Sequence, residues 1–533
     1  MKNKILILLT SLLLTSCLNS NSVKSSSNSN SSNSKESEVN NSTTDKNDGS
    51  KNTTSTSIEI PDNLYDTFFT INDVHGSIDE NTSLSSPEAG LLKLDYFIKQ
   101  DFYYNDGSFI VSGGDIYQGG YQAYHNMNLV SDVLSEMGVV ASVIGNHEFD
   151  WSISTFKNIR EYASFPFLGA NITTNNKQVD FVDYSYKYTT DTGAKFGIVG
   201  VIGPGEESDI LTSYISGYSF SKDVKYVEAE LDKLKDCDYK IILSHDSVSN
   251  DNNYLNNLVS TLIDDNYSID AVVGAHTHMF ESTTISGVPY IQAGSNTKGY
   301  GVFQFRRKDK KCLYYGYHQF TKSEITSVSE SKLNQKLYKM IHDDTYYTKG
   351  NESLGKTLNG TLSKSNHLHK FIPKVMVNAA INNGMKSSNP ILAFHNIGGL
   401  RSDITSGNLT RNSLFKAVPF MNKIRISRSV SGSKLSKLLN ISSYKGNLTN
   451  TTDRYVYAIE DDQEFNSNLT YDVVTIDYCY EYSYVSNTLK CTWNSISQVD
   501  NEDILMPDAI ISYVENYSSN TINAGDFDCT KSN

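Results

Sequence analysis

The chain has 533 residues, and its 46 Lys and Arg against 60 Asp and Glu give a formal net charge of −14. This length predicts about three domains and needs no disulfide scaffold to build a core. The acidic balance argues against a nucleic-acid polymer as the partner, because phosphate backbones are bound by Lys and Arg. A small anion held on metal ions stays compatible, since the charge of the metals outweighs the local protein field.

Residues 1–17 are predicted to be a lipoprotein signal peptide. Lys2 and Lys4 precede the apolar run from Ile5 to Leu14, which is too short to span a bilayer. The segment Leu14-Thr15-Ser16-Cys17 resembles a bacterial lipobox, which implies cleavage before Cys17 and acylation of that cysteine. An ordinary secretory signal with a coincidental cysteine is the alternative. We therefore expect an extracytoplasmic protein, lipid-anchored to the cell membrane through Cys17.

Residues 18–62 are rich in Ser, Asn and Thr and carry almost no large apolar side chain. Such a segment cannot bury enough surface to offset its chain entropy, so we predict a disordered tether. Compositional drift without a function would give the same pattern.

Between residues 63 and 328 short apolar runs alternate with helical patterns, which is typical of βαβ units with buried parallel strands. Two runs near its end are predicted to be closing antiparallel strands, Val288–Ala293 and Gly301–Arg306. The predicted helices are Leu91–Gln100 and Asn128–Met137, the latter with Gly138 as its C-terminal cap. The other predicted strands are Thr67–Ile71, Ser108–Ser112, Val139–Ile144, Phe196–Ile202, Lys240–Leu243 and Ala271–Val273.

Polar clusters follow five of these apolar runs, and together they carry enough oxygen and nitrogen donors for two divalent metals. A lone Asp-x-His or Gly-Asp is usually surface or turn chemistry, but five clusters in order at strand ends are hard to obtain by chance. We expect the two side chains of each i, i+2 pair to point to one side of an extended turn. The clusters are Asp73-Val74-His75-Gly76, Gly113-Gly114-Asp115, Gly145-Asn146-His147-Glu148, Ser244-His245-Asp246 and Gly274-Ala275-His276-Thr277-His278.

A linking helix is predicted at 329–350, a mixed α+β body at 351–520, and a tail at 521–533. The helical patterns in that body are Phe371–Asn382, Arg411–Ala417 and Ser433–Leu439, and the strand patterns are Ile391–His395, Tyr455–Ile459 and Tyr471–Ile476.

Five cysteines remain after Cys17, so at least one is unpaired within the chain. Cys479 and Cys491 flank a possible hairpin and could form a disulfide, although spacing alone does not settle this. No CxxC pair is present, which argues against a thiolate metal site.

The order Asp-x-His, Gly-Asp, Gly-Asn-His-Glu, His and Gly-x-His-x-His resembles the calcineurin-like metallophosphoesterases, and Asn146-His147-Glu148-Phe149-Asp150 resembles their 5′-nucleotidase branch. The resemblance implies an α/β fold, a four-layer β-sandwich flanked by helices. It also implies two divalent metal ions, Zn, Mn or similar. His147 would be the catalytic histidine, with Asp150 orienting it or capping the next helix instead. One metal would be held by Asp73, His75, Asp115 and His278, and the other by Asp115, Asn146, His245 and His276.

The second body resembles the 5′-nucleotidase C-terminal domain through two segments, Asn396-Ile397-Gly398-Gly399-Leu400-Arg401 and Ala417-Val418-Pro419-Phe420-Met421-Asn422. The resemblance implies that Asn396 and Arg401 hold the substrate, with Gly398 and Gly399 allowing close approach, and that Phe420 stacks on a base. A turn, a surface arginine and a core phenylalanine are the structural alternatives.

Two departures from that family pattern concern the substrate side. The upstream arginine is missing, and only Lys364, His367, His369 and Lys370 stand near its place. The glycine-rich turn that carries a second stacking ring is missing too. Tyr482 or Tyr484 could replace that ring, or this tyrosine-rich segment could be an exposed or partner-facing strand.

We therefore expect a phosphomonoesterase that hydrolyses 5′-nucleotides, with its site between the two domains and a hinge at Ser329–Asp343. A 2′,3′-cyclic-nucleotide or nucleotide-sugar phosphodiesterase and a non-catalytic surface binding lipoprotein are the alternatives. The partners expected are a small phosphorylated substrate, a nucleotide, and the membrane through its anchor.

Overall fold

The computed structural model describes residues 64–440, 454–496 and 503–529. The predicted signal peptide, Cys17 and the predicted tether lie outside the described residues. All described residues fall within one compact unit, so the predicted domain boundaries stay predictions. Within the described part of the chain, every helix is too short or too polar to cross a bilayer.

Fifteen strands precede residue 320: twelve of them form two six-stranded sheets, and the other three form a small three-stranded sheet. The strands are β1 (Tyr65–Ile71), β2 (Phe109–Ser112), β3 (Val139–Val143), β4 (Phe167–Leu168), β5 (Ile172–Thr174), β6 (Lys177–Gln178), β7 (Ser185–Thr189), β8 (Lys195–Ile202), β9 (Ser219–Phe220), β10 (Tyr239–His245), β11 (Ala271–Val273), β12 (Phe280–Ile285), β13 (Val288–Ala293), β14 (Gly299–Arg306) and β15 (Lys311–Gln319).

The helices of this region connect the strands and lead toward the second half. They are α1 (Gly90–Gln100), α2 (Tyr121–His125), α3 (Met127–Met137), α4 (Ile153–Ile159), α5 (Thr212–Ile215), α6 (Lys225–Lys233), α7 (Tyr254–Asp264), α8 (Lys322–Ser327), α9 (Gln335–His342) and α10 (Thr345–Asn351). As predicted, α3 ends at Gly138, whose φ of 104° is the left-handed conformation that glycine adopts easily.

The first sheet has the strand order β15-β14-β1-β2-β3-β4, and the second has β12-β13-β11-β10-β8-β7. Strands β1 to β4 run parallel, as do β8, β10, β11 and β13. Parallel neighbours bring their carboxyl ends to one edge of a sheet, which is where ligands bind in such folds.

Side-chain alternation along β1 separates the layers. Phe68 packs between the two sheets, against Phe303 and Phe196. Its neighbour Phe69 faces the opposite side of the first sheet, in the hydrophobic core formed with α1 and α3. A third cluster packs α6 and α7 onto the outer face of the second sheet. The order helix, sheet, sheet, helix confirms the predicted four-layer α/β architecture.

The second half is a mixed α+β arrangement with strands β16 (Ser353–Asn359), β17 (Ile391–Asn396), β18 (Gly407–Thr410), β19 (Ile424–Ser431), β20 (Tyr455–Ile459), β21 (Thr470–Ile476), β22 (Asn494–Ser495) and β23 (Thr521–Asn523). They form a five-stranded sheet of order β20-β17-β21-β19-β22 and a three-stranded sheet of order β18-β16-β23. Its helices are α11 (Leu368–Asn382), α12 (Arg411–Phe415), α13 (Gly432–Leu438), α14 (Asp477–Glu481), α15 (Ser483–Leu489) and α16 (Met506–Glu515).

Four local predictions need correction. Of the two strands predicted to be closing antiparallel strands, β14 is antiparallel to both of its neighbours. Strand β13 is antiparallel to β12 but parallel to β11. The predicted linking helix is two short helices, α9 and α10. The tyrosine-rich segment after β21 is helical, not an exposed strand or hairpin, because it forms α14 and α15. Cys479 and Cys491, the pair that could have formed a disulfide, are free thiols.

Candidate active site

The predicted metal ligands gather where five parallel strands end. Asp73 follows β1, Asp115 follows β2 and Asn146 follows β3, all in the first sheet. His245 is the last residue of β10, and His276 follows β11 in the second sheet. Since the two sheets pack face to face, these ends meet across the top of the sandwich.

Ring nitrogens and side-chain oxygens of these residues lie within 3.0 to 3.5 Å of one another there. Nε2 of His75 lies 3.0 Å from Nε2 of His278, which lies 3.5 Å from a carboxylate oxygen of Asp73. Nε2 of His245 lies 3.2 Å from Oδ2 of Asp115. Oδ1 of Asn146 lies 3.1 Å from both Nε2 of His245 and Nδ1 of His276.

These donors separate into two neighbouring groups on either side of Asp115, whose Oδ2 lies 3.8 Å from Nε2 of His75 and 3.2 Å from Nε2 of His245. Asp73, His75 and His278 offer atoms within 4.8 Å of one another, and so do Asp73, Asp115 and His245. The structure thus brings all seven predicted metal ligands together, and a cage of imidazole, carboxylate and amide donors fits hard divalent cations.

The backbone that carries these ligands is not the extended turn we expected. Asp73, His75, Asp115, His276 and His278 all have positive φ, between 45° and 73°. Left-handed conformations are uncommon for residues with a Cβ and cluster at functional sites. As the family resemblance implies, His278 lies beside His75 and Asp73, whereas His276 lies beside Asn146.

Glu148 is a buried carboxylate that ties the strand ends together. Its oxygens accept from the backbone N–H groups of Asp115, Ile116 and Gly145. A side chain at Gly145 would collide with the Asp115 carboxylate, so glycine allows the two loops to approach. Glu148 therefore fixes the loop that presents the shared ligand.

Burial and neighbouring charges shift the pKa values of the cage in opposite directions. Burial raises the pKa of Asp73 to about 8 and lowers the pKa of both His75 and His276 to about 3. Burial alone would raise the pKa of Asp115, but His245, His147 and His75 hold it well below its usual range. His75 and His276 are thus in the neutral form that binds a metal, whereas Asp73 and His245, whose pKa Asp115 raises against burial, must each lose a proton when a cation binds.

His147 lies beside the cage, between the carboxylate of Asp150 and the guanidinium of Arg401. Its Nδ1 is 2.9 Å from Oδ2 of Asp150, and its Nε2 is 2.6 Å from Nη2 of Arg401. Asp150 and Asp115 raise the pKa of His147 against the lowering effect of burial. An arginine cannot accept, so in this conformation Nε2 carries the lone pair and Nδ1 carries the proton that faces Asp150. Ser152, not Asp150, caps α4, since its hydroxyl accepts from the N–H of Thr155.

A cavity of about 360 Å³ opens above the cage between residues of the two halves. The guanidinium of Arg401 lies 5.2 Å from the ring centre of Phe420, which is 5.6 Å from the ring of His147. The lining residues include Asp115, Asn146, His147, Asp150, Trp151, Asp209, Tyr214, His276, His278, Asn396, Gly398, Arg401, Phe420 and Tyr478.

The structure places three predicted substrate residues elsewhere. Gly399 is buried against the ring of His395. Tyr482 packs under Arg454, 4.6 Å from its guanidinium, and Tyr484 is 47% exposed. Tyr478, at the first turn of α14, lines the cavity instead.

The basic residues that stand near the missing arginine do not reach the cavity. Lys364, His367, His369 and Lys370 are all absent from its described lining. Lys370 lies 3.5 Å from Asp462, and the His367 ring accepts from the Ser363 hydroxyl.

Sequence reasoning missed Glu206, Asp209 and Tyr478. Glu206 and Asp209 follow β8, whose end carries the Gly203-Pro204-Gly205 turn. The pattern that identified the predicted ligands is a polar residue after a buried strand and a glycine-containing turn. The same pattern is present at the end of β8.

Comparison with known proteins assigns both halves. The family described as calcineurin-like phosphoesterase matches residues 67–280, and the 5′-nucleotidase C-terminal domain matches residues 350–484. The chain belongs to the calcineurin-like phosphoesterases of the 5′-nucleotidase type. This membership makes it a hydrolase acting on phosphoester bonds, in a family that uses divalent metals.

Individual relatives of this phosphoesterase are distant in sequence. A 5′-nucleotidase of Rattus norvegicus is 26% identical over 406 residues, which cover 66% of each chain. An apyrase of Tabanus yao is 24% identical over 403 residues, covering 66% of this chain and 69% of that protein. The chain thus spans about two thirds of the length of these relatives. The crystal structure of a 5′-nucleotidase precursor from Thermus thermophilus is 16% identical, with a TM-score of 0.63, and covers 86% of this chain and 97% of that one.

Proposed function

We propose that this phosphoesterase hydrolyses 5′-nucleotides to a nucleoside and phosphate outside the cytoplasm, with two divalent cations in the cage. The observation that carries the proposal is the position of His147 and Arg401 at the point where the cage opens into a cavity with aromatic walls. Two divalent cations, Zn, Mn or similar, would supply an activated water and neutralise charge on the phosphate. Asp73, His75, Asp115 and His278 would hold one cation, and Asp115, Asn146, His245 and His276 the other.

The chain's own groups would bind and neutralise the phosphate. Arg401 presents a planar fork that matches phosphate oxygens. When a phosphate draws that guanidinium away from His147, Nε2 becomes free to take up a proton. Asp150 then stabilises the imidazolium, which protonates the departing ribose oxygen or stabilises the charge that develops on it.

The nucleoside would occupy the outer part of the cavity. Phe420 and Tyr478 supply aromatic surface for a base, and Asn396 supplies an amide for hydrogen bonds. Base stacking on aromatic side chains is worth about 1–3 kcal/mol, which is enough to separate nucleotides from small phosphate esters.

Phosphate release from AMP in the presence of Mn²⁺ or Zn²⁺ tests this proposal. We expect turnover of AMP that is abolished by chelation, and weaker turnover of cyclic nucleotides and nucleotide sugars in the same panel. His147→Ala is the control for contaminating phosphatase. A wild-type protein as inert as His147→Ala on every ester would instead support a binding lipoprotein, and preference for the diesters would reassign the substrate.

The location outside the cytoplasm follows from the predicted lipobox at Cys17. Metabolic labelling with a fatty-acid analogue checks it: label should enter the wild-type chain and be absent from Cys17→Ser. Label in both chains, or in neither, would contradict the anchor.

A further inference from the structure

Glu206 is a buried carboxylate next to the cage that the family resemblance leaves without a role. It follows β8, whose last residue, Ile202, pairs with His245 at the end of β10. The strand register therefore delivers Glu206 to the same edge as His245. Its carboxylate forms a group with His245 and His276 whose donor atoms lie within 4.8 Å of one another.

Among the described residues, none donates a hydrogen bond to the Glu206 carboxylate. The residue is 3% exposed, and neither of its oxygens has a hydrogen-bond partner among the described residues. Glu148 and Glu230 are as deeply buried, but the first accepts three backbone N–H groups and the second accepts from Ser185 and pairs with Lys233. Burying a carboxylate without a partner is unfavourable, so such a group calls for a positive partner.

The Glu206 side chain points toward His276 and Asn146, which are two predicted ligands of the second cation. Oε2 of Glu206 lies 3.8 Å from Nδ1 of His276, the same nitrogen that lies 3.1 Å from Oδ1 of Asn146. A Cβ at Gly203 would collide with Oε1 of Glu206, so the glycine leaves the space in which the carboxylate reaches inward. Potential ligand atoms of Glu206, His276 and Asn146 thus face one small volume.

We propose that Glu206 is a fifth protein ligand of the second cation, beside Asp115, Asn146, His245 and His276. The inference rests on the proposed two-metal function and goes beyond the ligand set that the family resemblance implies. A second carboxylate on this cation adds negative charge and raises the ligand number above four. Both changes favour Mn²⁺-like ions over tetrahedral Zn²⁺ at this position.

Metal titration of the full chain tests the proposal. The protein is stripped with chelator and titrated with Mn²⁺ by calorimetry, and bound metal is counted by mass spectrometry after dialysis. We expect two Mn²⁺ per wild-type chain. In Glu206→Gln one of the two sites should weaken by about 10–100-fold, a loss typical of altered metal environments. Glu230→Gln, the same change at a buried and paired glutamate, should bind like wild type.

Thermal unfolding separates a ligand from a structural residue. Without metal, Glu206→Gln should unfold at the wild-type temperature or higher, because an unpaired charge has been removed. On adding Mn²⁺ its melting temperature should rise less than that of wild type. Equal destabilisation with and without Mn²⁺, or two sites of unchanged affinity in Glu206→Gln, would overturn the proposal. A wild-type chain that binds no metal would instead overturn the proposed function.

Discussion

The cage and the outer wall of the cavity are built from different parts of the fold. The ligands of the cage stand at the ends of parallel strands, in residues that are almost all buried. The outer wall is carried by short helices and loops of the second half, around Asn396, Phe420 and Tyr478. All seven ligands predicted from motifs reach the cage, whereas the predicted Tyr482 and Tyr484 do not reach the wall.

Strand register explains this difference. A residue that directly follows a buried parallel strand has its position fixed by hydrogen bonds on both sides of the strand. A residue in a connecting segment takes its position from packing with distant residues, so sequence neighbours are poor guides. Changes in the cage should therefore remove the chemistry, and changes in the wall should alter substrate affinity.

Asp115→Asn should have the largest effect, because Oδ2 of Asp115 lies between His75 on one side of the cage and His245 on the other. We expect loss of more than about 100-fold in affinity at both metal sites and activity below detection. Calorimetric titration with Mn²⁺ and an AMP assay measure the two effects. Full metal content with full activity would mean that the cage is not the reacting centre.

His147→Ala should lose about 10²–10⁴-fold in kcat while keeping both metals, because its ring is adjacent to the cage but turned toward Arg401 and Asp150. Kinetics with AMP at saturating Mn²⁺, together with metal counting, separate chemistry from metal loss. If the variant loses a metal, His147 acts as a ligand and the assignment is wrong.

Tyr478→Ala should raise KM for AMP by about 5–100-fold with a smaller change in kcat, as expected for the loss of one stacking ring. Tyr484→Ala, an exposed tyrosine of the same segment, is the matched control and should be neutral. A KM increase in Tyr484→Ala alone would show that the segment rearranges when substrate binds.

Asp150→Asn should give the smallest loss, about 10-fold in kcat, together with a change in pH dependence. Asp150 raises the pKa of His147, so removing its charge lowers that pKa and the protonated imidazole is lost at lower pH. The alkaline limb of the kcat/KM profile should move to lower pH. An unchanged profile would show that His147 does not supply the proton that limits the rate.

Much of the fold was predictable, because its strands are short apolar runs and its turns carry glycine. Ala271–Val273, Val288–Ala293 and Tyr455–Ile459 are strands with the predicted bounds. The parallel pairing of β13 was missed, since pairing partners depend on the whole sheet. The helical turn at Asp477–Glu481 was missed as well, because a run of tyrosines favours strands locally and only tertiary packing overrides that preference.

The sequence by itself determined the family, the order of the ligands along the chain and the strand ends that carry them. These follow from local patterns, since apolar runs and glycine turns fix where each polar cluster begins. Only the tertiary structure decided that the loops of the ligands adopt positive φ, that Tyr478 faces the cavity and that Glu206 points into the cage with no hydrogen-bond donor among the described residues. Each of these depends on contacts between residues far apart in the chain, which the spacing of motifs does not encode.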